Sequence, residues 1–182
     1  MSTIGYTLFE TAIGHCGIAW GPQGLTGVQL PEVDAAATRD RMAGRFPQAP
    51  QCVPPASVQD AIAAIGALLR GEPADLSGIV LDMGGVPVFH QRVYLLARRM
   101  APGETMTYGD MAQQLGEPGA ARAVGQALGH NPFAPVVPCH RILAANGGAG
   151  GFSAAGGTRT KLRLLEIEGA QFGGPGLFDF SR

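Results

Sequence analysis

The chain has 182 residues, with 13 basic and 14 acidic side chains and an apolar fraction of 46%. This is enough for one medium domain or two small ones around a real core, and its near-zero net charge does not by itself call for a polyanion partner. No apolar run approaches the roughly 20 residues of a membrane span, and the opening "MSTIGYTLFE" lacks the basic and apolar regions of a signal peptide.

Cys16, Cys52 and Cys139 are an odd number of cysteines, none in a CxxC pair. That speaks against a disulfide framework and a four-ligand zinc site, and for a reducing, cytoplasmic setting. His15 beside Cys16 is the one place where a metal ligand pair could begin. Charge is unevenly spread. Residues 1–85 carry four arginines against eight acids, whereas residues 86–182 carry nine bases, eight of them Arg, against six acids.

In chain order, "YTLFET", "HCGIAW" and "LTGVQL" predict three short strands separated by the turns "AIG" and "GPQG", a β-meander. "AAATRDRMAGRF" predicts a short helix, and "PQAPQCVPP" ends it. "SVQDAIAAIGALLRGE" predicts a helix capped by Ser57, with Val58, Ala61, Ile62, Ile65, Leu68 and Leu69 on one face. "LSGIVLDMGG" predicts a short strand and a glycine turn. A boundary near residue 85 follows. "PVFHQRVYLLARRM" predicts a helix with Phe89, Val93, Leu96 and Met100 on a stripe. Thr107 caps the next helix, to Leu115. After a tight "GEPG" turn, a second helix is expected over Pro118–Leu128. "TRTKLRLLEIEGA" predicts a last helix closed by Gly169. The expected fold is α+β: a small N-terminal antiparallel β-meander with helices, then a mostly helical domain containing a helix-turn-helix. Residues 171–182 form a Gly-rich tail.

The helix after the turn is nearly stripped of side chains. Ala120, Ala121, Ala123, Gly125, Ala127 and Gly129 leave Val124 and Leu128 inside and Arg122 and Gln126 outside. So bare a surface suits close approach to a nucleic-acid groove, with Arg122 reaching in, or equally tight helix packing. "PVVPCHRIL" sets Cys139 beside His140. An unperturbed thiol with a pKa of roughly 8.5 needs a base or cation to become a nucleophile. His140, with Glu166 or Glu168 behind it, could supply one. Cys139 could equally be a small buried residue. The loop 144–157 has six glycines but no Gly-Lys-Ser/Thr, so it suits a flexible pocket wall better than a phosphate cradle.

"GETMTYGDMAQQLG", "ARAVGQALGHNP", "PCHR", the Gly loop and "KLRLLEIEGA" occur in one order and spacing. From Val88 to Ala170 the chain resembles the O6-alkylguanine-DNA alkyltransferases, the methylated-DNA–protein-cysteine methyltransferases. The resemblance implies direct-reversal DNA repair. The partner is double-stranded DNA containing O6-alkylguanine, with O4-alkylthymine as the alternative lesion. The alkyl group passes to Cys139 once per molecule, with no cofactor, no metal and no membrane, in a monomer. It implies that His140 deprotonates Cys139 through a water, that Glu168 stands behind His140, that Asn131 braces the turn and that Tyr108 hydrogen-bonds the base. Arg122 becomes the finger that fills the gap left by the flipped base. Ala120, Ala121, Gly125 and Thr107 lie against DNA, and Ile142, Phe152, Ser153 and Leu128 join Tyr108 around the pocket. Residues 1–85 become a mainly structural α/β domain, and residues 86–170 the alkyltransferase domain. Phe152 stands where many relatives have tyrosine. Two rival functions are a Cys–His hydrolase, which turns over, and a helix-turn-helix module that binds DNA or lesions without chemistry.

Overall fold

The computed structural model describes residues 2–152 and 154–171. Strands β1 (Gly5–Thr11), β2 (Gly14–Gly21) and β3 (Gly24–Gln29) form an antiparallel meander in the order β1-β2-β3. The central strand is covered on both faces. Cys16, Ile18 and Trp20 point to one side, where they meet Val58, Ala61, Ile65 and Leu69 of α2 (Ala56–Leu69). Ala19, with Tyr6 of β1, faces the other side and meets Met42 of α1 (Ala35–Arg45). This double burial explains why "HCGIAW" is apolar at consecutive positions rather than alternating. It also explains Gly17, since a Cβ there would lie 2.5 Å from Met42 Cγ.

Two expectations in this half need correcting. Ser57 does not cap α2. The helix begins at Ala56 behind Pro55 and has no side-chain cap, because the pyrrolidine ring already fixes the entry backbone. "LSGIVLDMGG" is not a strand. It makes one isolated parallel bridge, Leu25 to Leu81, and the carbonyls of Leu76 and Ile79 are taken by the Arg98 guanidinium at 3.0 and 2.8 Å instead of by a strand partner.

In the second half, α3 (Val88–Ala97), α4 (Tyr108–Gln114) and α5 (Ala121–Gly129) surround a core of Val93, Tyr94, Met111, Val124, Phe133 and Val137, among others. The Tyr94 hydroxyl donates to the Ala127 carbonyl at 2.7 Å, fixing α3 against α5. Thr107 caps α4 in a full capping box with Asp110. The second helix starts three residues later than expected. Gly116 (φ +77) ends the first helix, and Pro118 and Gly119 are spent reversing the chain, so Ala120 takes the cap position. A two-residue parallel pairing joins β4 (Met106–Thr107) to β5 (Ile142–Leu143) and fixes the start of α4 beside the "PCHR" segment. The last helix, α6 (Thr158–Ile167), ends at Gly169 with φ +68. The α+β class is as expected. Among the described residues no helix is long and apolar enough to cross a membrane.

Candidate active site

Cys139 opens a 3₁₀ turn, Cys139–Arg141, entered from Pro138. Asn131 braces the approach to it. Its Nδ2 donates to the Val137 carbonyl at 2.8 Å, and its Oδ1 accepts from the Phe133 N–H at 2.9 Å. This clamp presents a thiol that is only 6% exposed. Burial pushes the Cys139 thiol up, and a hydrogen bond with the Asn131 side chain and the Lys161 charge pull it back only in part. The resting sulfur is therefore a neutral thiol, and the nucleophile must be made by removing a proton.

His140 and Arg141 point away from solvent into one carboxylate. Glu168 Oε1 accepts from His140 Nε2 at 2.7 Å and from Arg141 Nη2 at 2.8 Å, and Oε2 accepts from Arg141 Nε at 3.0 Å. Burial alone would raise the Glu168 pKa. The hydrogen bonds and charges of His140 and Arg141 outweigh it and bring it down to about 2. The carboxylate is thus ionised and fixes the hydrogen of His140 on Nε2. Burial disfavours the imidazolium, so the ring is neutral and Nδ1 is left as an acceptor. That Nδ1 is buried and has no hydrogen-bond partner among the described residues. It is a base with its lone pair unspent. Glu166, the other carboxylate of "EIEG", is exposed and faces Arg163 at 3.8 Å.

Lys161 is the site residue that the sequence reading did not single out. It is fully buried, donates to the Ile142 carbonyl at 2.5 Å, and its Nζ lies 3.4 Å from the Tyr108 hydroxyl. Burial brings its pKa down to about 8, and a negative charge formed on Cys139 would oppose that fall. The signal was present. Lys161, Leu164, Leu165 and Glu168 follow i, i+3, i+4, i+7 spacing, so this lysine lies on the inward stripe of α6.

Cys139, Tyr108, Gly125, Leu128 and Phe152 line one cavity of about 430 Å³. Tyr108 begins α4, and burial raises its phenol pKa. Gly150 packs against it. With φ +70 and a Cβ that would lie 2.9 Å from the Tyr108 hydroxyl, only glycine fits there. Ile142 does not line this cavity. It is fully buried in the core and contributes its carbonyl to Lys161. Ser153 lies outside the described residues, as does the tail from residue 172. Arg122 and Gln126 are exposed on the outer face of α5, with Ala120 and Ala121 at its start. The Thr107 hydroxyl accepts from Asp110 N at 3.0 Å as a helix cap. His15 and Cys16 fall on opposite sides of β2, one exposed and the other buried against Thr11 at 3.8 Å, and cannot converge on one ion.

Residues 88–170 match the family described as 6-O-methylguanine DNA methyltransferase, DNA binding domain. A methylated-DNA–protein-cysteine methyltransferase of Methanothermobacter thermautotrophicus is 34% identical over 158 residues, covering 87% of this chain and 81% of that one. The crystal structure of Mycobacterium tuberculosis OGT in complex with DNA superimposes with a TM-score of 0.71 at 34% identity, covering 91% and 92% of the two chains. The O6-methylguanine-DNA methyltransferase of Pyrococcus kodakaraensis gives a TM-score of 0.70 at 26% identity, covering 91% and 99%. With a similarity that spans both halves of the molecule, the chain belongs to the methylated-DNA–protein-cysteine methyltransferase family.

Proposed function

We propose that this protein repairs double-stranded DNA by taking the alkyl group of O6-alkylguanine onto Cys139, once per molecule. The observation that carries the proposal is the buried chain Cys139, His140 and Glu168, with an unspent base at Nδ1, beside a cavity walled by Tyr108, Leu128 and Phe152. The lesion must leave the duplex to reach a thiol inside the protein, at a cost of a few kcal/mol. The bare face of α5 lies against the sugar–phosphate walls, and Arg122 occupies the vacated stack. The thiol proton passes through a water to His140 Nδ1. The sulfur then bonds to the alkyl carbon and the C–O6 bond breaks. The electron pair is left on the base, where the Tyr108 hydroxyl stabilises it. The product is a thioether that water does not cleave, so no second half-reaction restores the thiol.

In the same reading, residues 86–170 carry the chemistry, residues 1–85 are mainly structural, and the protein works as a cytoplasmic monomer that keeps its thiols reduced.

The test is mass spectrometry after incubation with O6-methylguanine duplex. One methyl in place of one proton is expected on the peptide holding Cys139, one equivalent per protein. Cys139→Ala should bind the duplex and transfer nothing. Steady turnover with a free thiol would mean a hydrolase instead, and DNA binding without any adduct a mere binding module.

A further inference from the structure

Cys139 and Phe152 belong to two cavities. One is the base cavity. The other, of about 330 Å³, is also lined by Gln29, Arg41, Arg45 and His130. No Asp or Glu lines it. Arg41 and Arg45 sit four residues apart on α1, one turn of the same face. Arg45 donates only to uncharged acceptors, the Val28 and Pro132 carbonyls at 3.0 and 3.2 Å and Gln29 Oε1 at 3.0 Å. Three of its five N–H groups are thereby used. Arg41 has no ion-pair partner among the described residues and is exposed. Two guanidinium groups therefore share a groove with the nucleophile and have no counter-charge there. Burial, and after it repulsion from Arg41, lowers the Arg45 pKa.

In-line attack sets sulfur, carbon and O6 on one axis. Anything further out on the alkyl carbon projects sideways from that axis, and the base already fills one side. We propose that the groove receives the far end of a long O6 substituent, and that Arg41 and Arg45 select substituents ending in a carboxylate. The proposal rests on the alkyl-transfer reading of the site. The reaction is unchanged: the carbon–sulfur bond forms, the carbon–O6 bond breaks, and the carboxylate rides unaltered onto Cys139.

The experiment compares two duplexes of equal substituent length, O6-(3-carboxypropyl)guanine and the uncharged O6-(4-amino-4-oxobutyl)guanine. The readout is the ratio of their single-turnover rate constants on each protein, which cancels any general effect of a substitution. Arg41→Gln is expected to lower the wild-type acid-to-amide ratio by about fivefold, the scale of one partly exposed ion pair, and Arg41→Glu to lower it further. Equal ratios in all three proteins overturn the proposal, and so does weaker binding of undamaged DNA with the ratio unchanged, which would assign the groove to the DNA backbone. O6-methylguanine duplex run in parallel separates the two levels. If the wild type methylates Cys139 but the ratios are equal, only the groove fails. If it transfers no methyl group, the reading of the site fails with it.

Discussion

Lys161 is held in the core by one carbonyl and one phenol, with its charge directed at Cys139. A cation near a thiol favours the thiolate and so lowers the thiol pKa. Below about pH 8 the ammonium is present, and as pH rises through that value the help is lost. Lys161→Met should therefore raise the pH at which Cys139 reacts with iodoacetamide by about one unit, and slow methyl transfer at neutral pH by roughly tenfold. An unchanged alkylation profile would remove Lys161 from the chemistry. Cys139, His140 and Asn131 were nameable from "HNP" and "PCHR", because each stands in a short local motif. Lys161 stands in none. A lysine on a helix is ordinarily a solvated cation, and only its place on the apolar stripe of α6 signalled that this one turns inward. Residue spacing alone left Glu166 and Glu168 open, the family resemblance named Glu168, and in the structure it is Glu168 that bonds His140.

At the scale of elements, α5 is small-sided where it faces Tyr108 and carries Arg122 on its exposed face. Gly125 sits over the Tyr108 ring, where an added Cβ would lie 3.9 Å away, an ordinary contact. Gly125→Ala should thus be tolerated, and it should raise stability by about 0.5–1 kcal/mol through helix propensity alone, visible as a higher Tm. Arg122→Ala should slow repair of duplex by about 10–100-fold, the scale of an unstacking cost of a few kcal/mol. It should leave repair of a single-stranded lesion unchanged, since no stack is vacated there. Equal rates on duplex for mutant and wild type would refute the wedge. Both helices of the turn were legible from Thr107, Gly116 and the Ala/Gly pattern. The start of α5 was not, because Pro118 suits a first helical turn and a tight reversal equally well. The strand expected in "LSGIVLDMGG" failed for a different reason. Leu76, Ile79 and Leu81 do pack, but Val80 is exposed, and the Leu76 and Ile79 carbonyls were captured by Arg98, a side chain about twenty residues away.

At the scale of the molecule, Glu168 ties three distant segments together. Its carboxylate holds His140 and Arg141, and Arg141 in turn donates to the Met100 carbonyl at 2.6 Å. Its pKa falls from the ordinary 4.5 to about 2 on folding. A depressed carboxylate contributes stability that is present above its unfolded pKa and is lost as pH falls through the folded one. Stability should therefore decline between about pH 4.5 and pH 2, by about 3 kcal/mol for this group. In Glu168→Gln that part of the acid dependence should disappear, with a lower stability at neutral pH. Urea unfolding followed across this range would decide it. A wild type and mutant with the same pH slope would contradict the assignment.

The two halves of the chain also share a core, since Val136 and Leu164 pack among the residues of the β-meander and α2. The Pro132 carbonyl receives both the Val28 N–H and the Arg45 guanidinium. The sequence by itself determined the α+β class and the helix-turn-helix, and with the family resemblance it named Cys139 as the nucleophile, because helix caps and the "PCHR" motif are written within a few residues of one another. Only the tertiary structure decided the contacts of the buried lysine, the unspent Nδ1 and the arginine groove beside Cys139. Each depends on which faces of distant segments meet, and no local spacing along the chain encodes that.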